Sequence, residues 1–131
     1  MTINEAWFND GFMAFKQAIP VTYVTFNKPG VLHGPHGDLS YAVGDKFISG
    51  VGKKEVNDPA RFTSVFTDNG NKNATPKATP RRSKLADESG TITTPQGDMT
   101  YTSGLDYIVR HKANDYEVVS KDIFELTYTP V

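Results

Sequence analysis

The chain carries its own pattern twice, at a spacing of sixty residues. With Pro20 set against Pro80, Gly30 meets Gly90, Pro35 meets Pro95, and Gly37-Asp38 meets Gly97-Asp98. Tyr41, Gly44 and Ile48 then meet Tyr101, Gly104 and Ile108. After a two-residue insertion the spacing is 62, and Glu55-Val56, Phe62 and Thr67 match Glu117-Val118, Phe124 and Thr129. The shared residues are mostly turn formers and large apolar side chains, which specify architecture and not a reaction.

A repeat of about fifty residues is marginal as a separate fold, whereas 131 residues bury roughly two-thirds of their unfolded surface. One domain over residues 1–131 is therefore expected, with the two units packed together. Its parts are a helical element at 2–19, a repeat unit at 20–67, a loop at 68–79 and a second unit at 80–131. No cysteine is present, which excludes disulfides and thiolate metal sites and suits a reducing cytoplasm. The N-terminus has no basic region of the secretory kind, and no apolar run approaches ~20 residues. A soluble, cytoplasmic protein without a membrane partner is the expectation.

In residues 2–19, Thr2 and Glu5 have capping-box spacing, and Phe8, Phe12, Phe15 and Ile19 recur at the helical period. Asn9-Asp10-Gly11 is a turn signal inside this stretch, so either one helix or two short helices fit. The aromatic face closes the core, or else docks a partner. From Pro20 the period becomes two. Thr22–Phe26 reads as a strand, Lys28-Pro29-Gly30, Gly34–Asp38 and Val43–Asp45 as turns, and Lys46–Ser49 as a strand. Asp58-Pro59 starts a short helix carrying Phe62 and Phe66, and Ser120 starts its counterpart carrying Phe124 and Tyr128. In unit two, Arg81-Arg82-Ser83-Lys84 replaces the first apolar strand. Asp68–Pro80 has loop composition.

Several stretches together resemble the PGDYG family of small bacterial and phage proteins with two related units. They are Pro20-Val21, Gly30–Leu32, Tyr41, Gly44-Asp45 with Ser49-Gly50, and Asp122–Glu125 through Thr127–Val131. Val43 and Lys46 depart from the family's Pro-Gly-Asp-Tyr pattern, as does Leu105 between Gly104 and Asp106. The resemblance implies a two-unit fold and a phage or bacterial origin. It carries over no catalytic residue.

Three groups of residues are candidates for chemistry. His33, His36 and Asp38 are metal-ligating types at close range, but in a strand His33 and Asp38 point to different faces. The second unit keeps the same turn with Thr93 and Gln96 in place of the histidines, so no metal site and no cofactor are expected. Asp38 and Asp98 occupy matching turns, as an acid–base pair or as ordinary turn formers. The third group is Lys72, Lys77, Arg81, Arg82 and Lys84, five cations without an acid in residues 70–84 of a chain whose net charge is −1. They are either a solubilising linker or a cradle for phosphate, with Arg81 or Arg82 bidentate. Tyr41, Tyr101, Tyr23 and Tyr107 are placed to stack a base or to pack a core. The nucleophile elbow, the phosphate loop and the His-Glu-x-x-His motif are missing.

These readings give an α+β fold: an N-terminal helix and two pseudo-symmetric antiparallel units of SH3-like barrel character, each closed by a short helical turn. The expected function is a non-enzymatic binding protein, phage-encoded, taking a phosphate-containing, nucleotide-like small molecule or sequestering a host signal. Its ligand-binding residues would be Lys77, Arg81, Arg82, Lys84, Tyr41 and Tyr101. The alternatives are a protein inhibitor of a host defence factor and a small metal-dependent hydrolase. Nucleic acid is not expected as a partner, and a homo-oligomer stays open.

Overall fold

The computed structural model describes residues 3–50 and 53–131. A 3-10 turn (Glu5–Phe8) leads into β1 (Phe12–Lys16), then β2 (Val21–Thr25), β3 (Gly30–His33), β4 (Asp38–Tyr41), β5 (Lys46–Gly50) and β6 (Lys53–Asn57). α1 (Pro59–Val65) and β7 (Phe66–Gly70) complete the first half. The second comprises β8 (Asn73–Pro76), β9 (Arg81–Leu85), β10 (Gly90–Thr94), β11 (Gly97–Tyr101), β12 (Asp106–Lys112), β13 (Asp115–Ser120), α2 (Lys121–Thr127) and β14 (Tyr128–Pro130).

The protein is mostly β, with 53% strand and 14% helix. Its sheets are open, so neither the α+β class nor barrel closure holds. One five-stranded sheet has the order β6-β5-β2-β8-β7 and the other β13-β12-β9-β1-β14, and the hairpins β3–β4 and β10–β11 stand apart. Equivalent strands take equivalent places. The exceptions in origin are β1 and β8, each of which lies in the sheet built by the other half. β1 pairs with β9 and β14, while β8 pairs with β2 and β7. The halves thus exchange their first strands through the crossovers at 17–20 and 77–80. Matching backbone bonds hold the crossovers: Gln17 N donates to Thr127 O and Lys77 N to Val65 O, both at 2.8 Å.

The N-terminal helix is therefore absent. Thr2 lies outside the described residues, and the Glu5 carboxylate accepts from Arg110 Nε at 2.7 Å. Asn4 caps the 3-10 turn through Trp7 N, and Asn9 ends it. A Cβ on Gly11 would sit 2.5 Å from Ser83 O, so glycine is needed where the chain comes alongside β9. Phe12 and Phe15 fit a helical period, but two strand partners override that preference. Trp7 and Phe8 are buried, which removes the aromatic docking face. The expected loop at 68–79 is instead a hairpin: Gly70 pairs with Asn73 across Asn71 and Lys72, both at positive φ (53° and 60°). Two such residues match the twist of the flanking strands, so turn composition here marks a tight hairpin.

Register also corrects one equivalence. Tyr23 pairs with Ile48 and Ser83 with Val109, so Ile48 corresponds to Val109 and not to Ile108. Leu105 is the residue that shifts the spacing. Tyr41 and Tyr101 pair with Gly30 and Gly90, and Phe62 and Phe124 occupy the same place in α1 and α2.

Each five-stranded sheet is covered on one face by its own helix. Ala74 packs with Ile48, Phe62, Val65 and Phe66, and Ala14 with Val109, Val119, Phe124 and Tyr128. Phe62 stacks on Phe66 and Phe124 on Tyr128, and both alanines are fully buried. A small side chain on the exchanged strand lets the aromatic pair lie flat against it. Ala14→Leu and Ala74→Leu should each cost about 1–3 kcal/mol by overpacking, read as a lower urea midpoint. Unchanged midpoints in both would contradict this packing.

Candidate functional site

The two hairpins meet tip to strand between the halves. Ser40 N donates to Gln96 O at 3.0 Å, and Thr100 N to His36 O at 2.7 Å, at equivalent positions. Gly37 and Gly97 make the approach possible, since a Cβ would lie 2.5 Å from Asp98 O and 3.1 Å from Asp38 O respectively. Behind the tips is a cavity of about 370 Å³. Its walls come from both halves: His36 and Leu39, Lys54–Val56 of β6, Thr94, Gln96 and Met99, Tyr116–Ser120 of β13, and Asp122 and Ile123 of α2.

Glu55 and Glu117 of this lining belong to a buried polar network. Arg61 Nε donates to Asp115 Oδ2 at 3.2 Å, tying the first helix to the second sheet. Its Nη1 lies 3.5 Å from Glu55 Oε1 and also bonds Asn57 Oδ1. Burial opposes the charge on Arg61, but Glu55, Glu117 and Asp115 outweigh it and hold the pKa above the usual arginine value. Lys16 of the exchanged strand reaches Glu55 at 3.5 Å. At the equivalent of Glu55, Glu117 Oε1 accepts from Tyr128 Oη at 3.1 Å. Burial, then the charge of Glu117, pushes the Tyr128 hydroxyl well above its ordinary range. Removing one partner from such a network leaves a buried charge uncompensated.

His111 is the neutral member. Burial lowers its pKa more than Glu117 raises it, so Nε2 donates to Glu117 as an uncharged imidazole at 3.4 Å. Among the described residues its Nδ1 has no hydrogen-bond partner.

At the mouth, His36 Nε2 lies 3.2 Å from Ser120 Oγ and 3.8 Å from Asp106 Oδ1. Ser120 holds the N-cap position of α2 but makes no cap bond, unlike Asp58, whose Oδ1 accepts from Arg61 N at 2.8 Å. His33 is elsewhere. Its Nδ1 pairs with Asp38 Oδ1 at 2.7 Å on the exposed face of the hairpin, so these two side chains do meet across β3 and β4. Thr93 and Asp98 make the equivalent bond, which marks Asp38 and Asp98 as closing their own hairpins. Among the described residues no group of three His, Asp or Glu side chains could hold a metal ion.

The expected ligand residues are not brought together. Lys77 Nζ donates to Thr63 O at 2.6 Å, Arg81 to the His111 carbonyl, and Arg82 to Gly11 O at 3.3 Å. Lys84 lies 2.8 Å from Asp10 and 3.3 Å from Asp87, over the Trp7 ring. Arg81 points to the opposite face of β9 from Arg82 and Lys84, and Lys72 is in the β7–β8 turn. Tyr41 stacks on Phe26 at 3.7 Å and covers Gly30, where a Cβ would meet its hydroxyl. Tyr101, buried, covers Gly90 in the same way. Tyr23 donates to Asp68 at 2.8 Å and Tyr107 stacks on Phe124, so these rings are packing groups.

Arg61, Asp115 and Ser120 were not singled out for chemistry by sequence. Glu55 and Glu117 did show a signal, as shared acids in strands where the other shared residues form turns or core. Comparison with known protein families, curated proteins and solved structures finds no match. Among the described residues no helix is long and apolar enough to cross a membrane.

Neutral His111 gives a pH prediction. The unfolded chain takes up a proton near pH ~6.5, below which the buried imidazole stays neutral. Its contribution to stability is therefore complete above that pH and is lost as pH falls below it. Wild type should lose more of its urea midpoint between pH 7.5 and 5.5 than His111→Gln does. Equal losses would show that the imidazole is not held neutral.

Proposed function

We propose that the protein is a small-molecule binding protein whose ligand sits in the cavity between the repeats. The carrying observation is that cavity, about 370 Å³ with walls drawn from both halves, in the range that takes a compact organic ligand. Val56, Val118, Met99 and Ile123 would cover its apolar body, while His36, Gln96 and Ser120 offer hydrogen bonds at the mouth. Among the described residues Lys54 is the one lysine in the lining, beside Glu55, Glu117 and Asp122. Lys77, Arg81, Arg82 and Lys84, expected to receive phosphate, each bond carbonyl or carboxylate groups elsewhere. A neutral, mostly apolar ligand with a few polar groups thus suits the cavity better than a nucleotide. The resemblance to PGDYG proteins remains part of the proposal and adds no ligand.

Gln96 offers the test, because its side chain lines the mouth while its carbonyl, which holds the hairpin contact, survives substitution. In a thermal-shift screen of neutral metabolite-like compounds and nucleotides, a ligand at 100 times its Kd raises stability by about 2.7 kcal/mol. Gln96→Trp should fold and lose that shift. A shift produced by nucleotides alone and kept in Gln96→Trp would overturn the cavity reading.

A further inference from the structure

We propose that Ser120 and His36 form a nucleophile–base pair that gives the cavity acyl-transfer chemistry toward small neutral esters. The inference rests on the cavity as the ligand site and adds a reaction to it. It starts from a comparison the molecule makes with itself. Asp58 and Ser120 occupy the same position before equivalent seven-residue helices. Asp58 caps its helix, whereas Ser120 leaves its own uncapped and turns its hydroxyl to an imidazole 84 residues away in the chain.

The imidazole is a second departure from the repeat, since the other hairpin tip carries Gln96 at the place of His36. Its backbone is fixed by two bonds, from Thr100 N at 2.7 Å and Thr100 Oγ1 at 3.0 Å to His36 O. The His36 ring is mostly enclosed, with 16% of the side chain exposed. Asp106 Oδ1 stands 3.8 Å from Nε2, and its other oxygen is held by Thr102 N at 2.8 Å. A fixed negative charge therefore lies beside the nitrogen that would take up the proton. Ser120 Oγ is at 3.2 Å, at the limit of the reach a nucleophile–base pair needs. Gln96 lines the same cavity, and its side-chain amide is the neutral donor an oxyanion there would take.

The reaction needs water and nothing else. Ser120 Oγ attacks the ester carbonyl carbon, its proton passes to His36 Nε2, and the carbonyl π pair moves onto oxygen. Collapse breaks the bond to the alkoxy group, which leaves as the alcohol with the proton from His36. Water then attacks the acyl-serine, giving one proton to His36. The carboxylic acid is released as Ser120 Oγ recovers that proton.

The test uses a fluorophosphonate probe, with p-nitrophenyl acetate as a reporter ester, on the full chain. The probe should label wild type at Ser120, located by peptide mass. His36→Gln should cut labelling and ester turnover by about 100-fold or more, the usual loss for a general base. Ser120→Ala should abolish both. Ser120→Asp restores the cap of the first repeat, so it should fold at least as well as Ser120→Ala and be equally inert. Intact wild-type protein without label at Ser120, or ester turnover that survives Ser120→Ala, would overturn the pair. A ligand shift abolished by Gln96→Trp, together with an unlabelled Ser120, would sink the chemistry and leave the binding cavity standing.

Discussion

β1 and β8 each lie inside a sheet whose other strands come from the opposite half, and the rest of the molecule is placed by that exchange. An inner strand hydrogen-bonds on both sides, so neither sheet is continuous until the other half has delivered its first strand. Ala14 and Ala74 are the residues that make this possible. Each is fully buried beneath an aromatic pair, Phe124–Tyr128 or Phe62–Phe66, which a larger side chain would lift. The pairings are long in sequence, Met13 with Arg82 and Ala14 with Pro130, which places the fold among those that close slowly.

The exchange also sets where polar groups are enclosed. Lys16 arrives on β1 and meets Glu55 of the first half; Arg61 of α1 meets Asp115 of the second. A buried network of this kind adds little net stability, but it penalises any arrangement that leaves one member alone. Two of its members, Glu55 and Glu117, line the cavity. The repeat becomes asymmetric at one hairpin tip, with His36 against Gln96, and ahead of α2, with Ser120 against Asp58. Shared residues build the frame, and the proposed chemistry sits on the differences.

Much of the frame was legible. Gly30, Tyr41, Gly44 and their partners lie at equivalent turns and strands, and the Asp58-Pro59 start was readable from cap chemistry alone. β1 and β8 were not, because Gly11–Lys16 and Asn71–Pro76 share only Ala14 and Ala74. Phe12 and Phe15 satisfy two periods at once, and only the partners on either side decide for the strand. Arg81, Arg82 and Lys84 read as a charge cluster, yet alternation on β9 sends them to two faces and into separate bonds. The His36–Ser120 contact spans 84 residues, and no local pattern announces it.

At 14.4 kDa the protein is within reach of solution NMR, and cross-strand nuclear Overhauser effects test the exchange directly. The account predicts effects joining Phe12 to Ser83 and Thr22 to Asn73, across β1–β9 and β8–β2. Effects joining β1 to β2 and β8 to β9 in their place would mean that each half keeps its own first strand, and the account would fall.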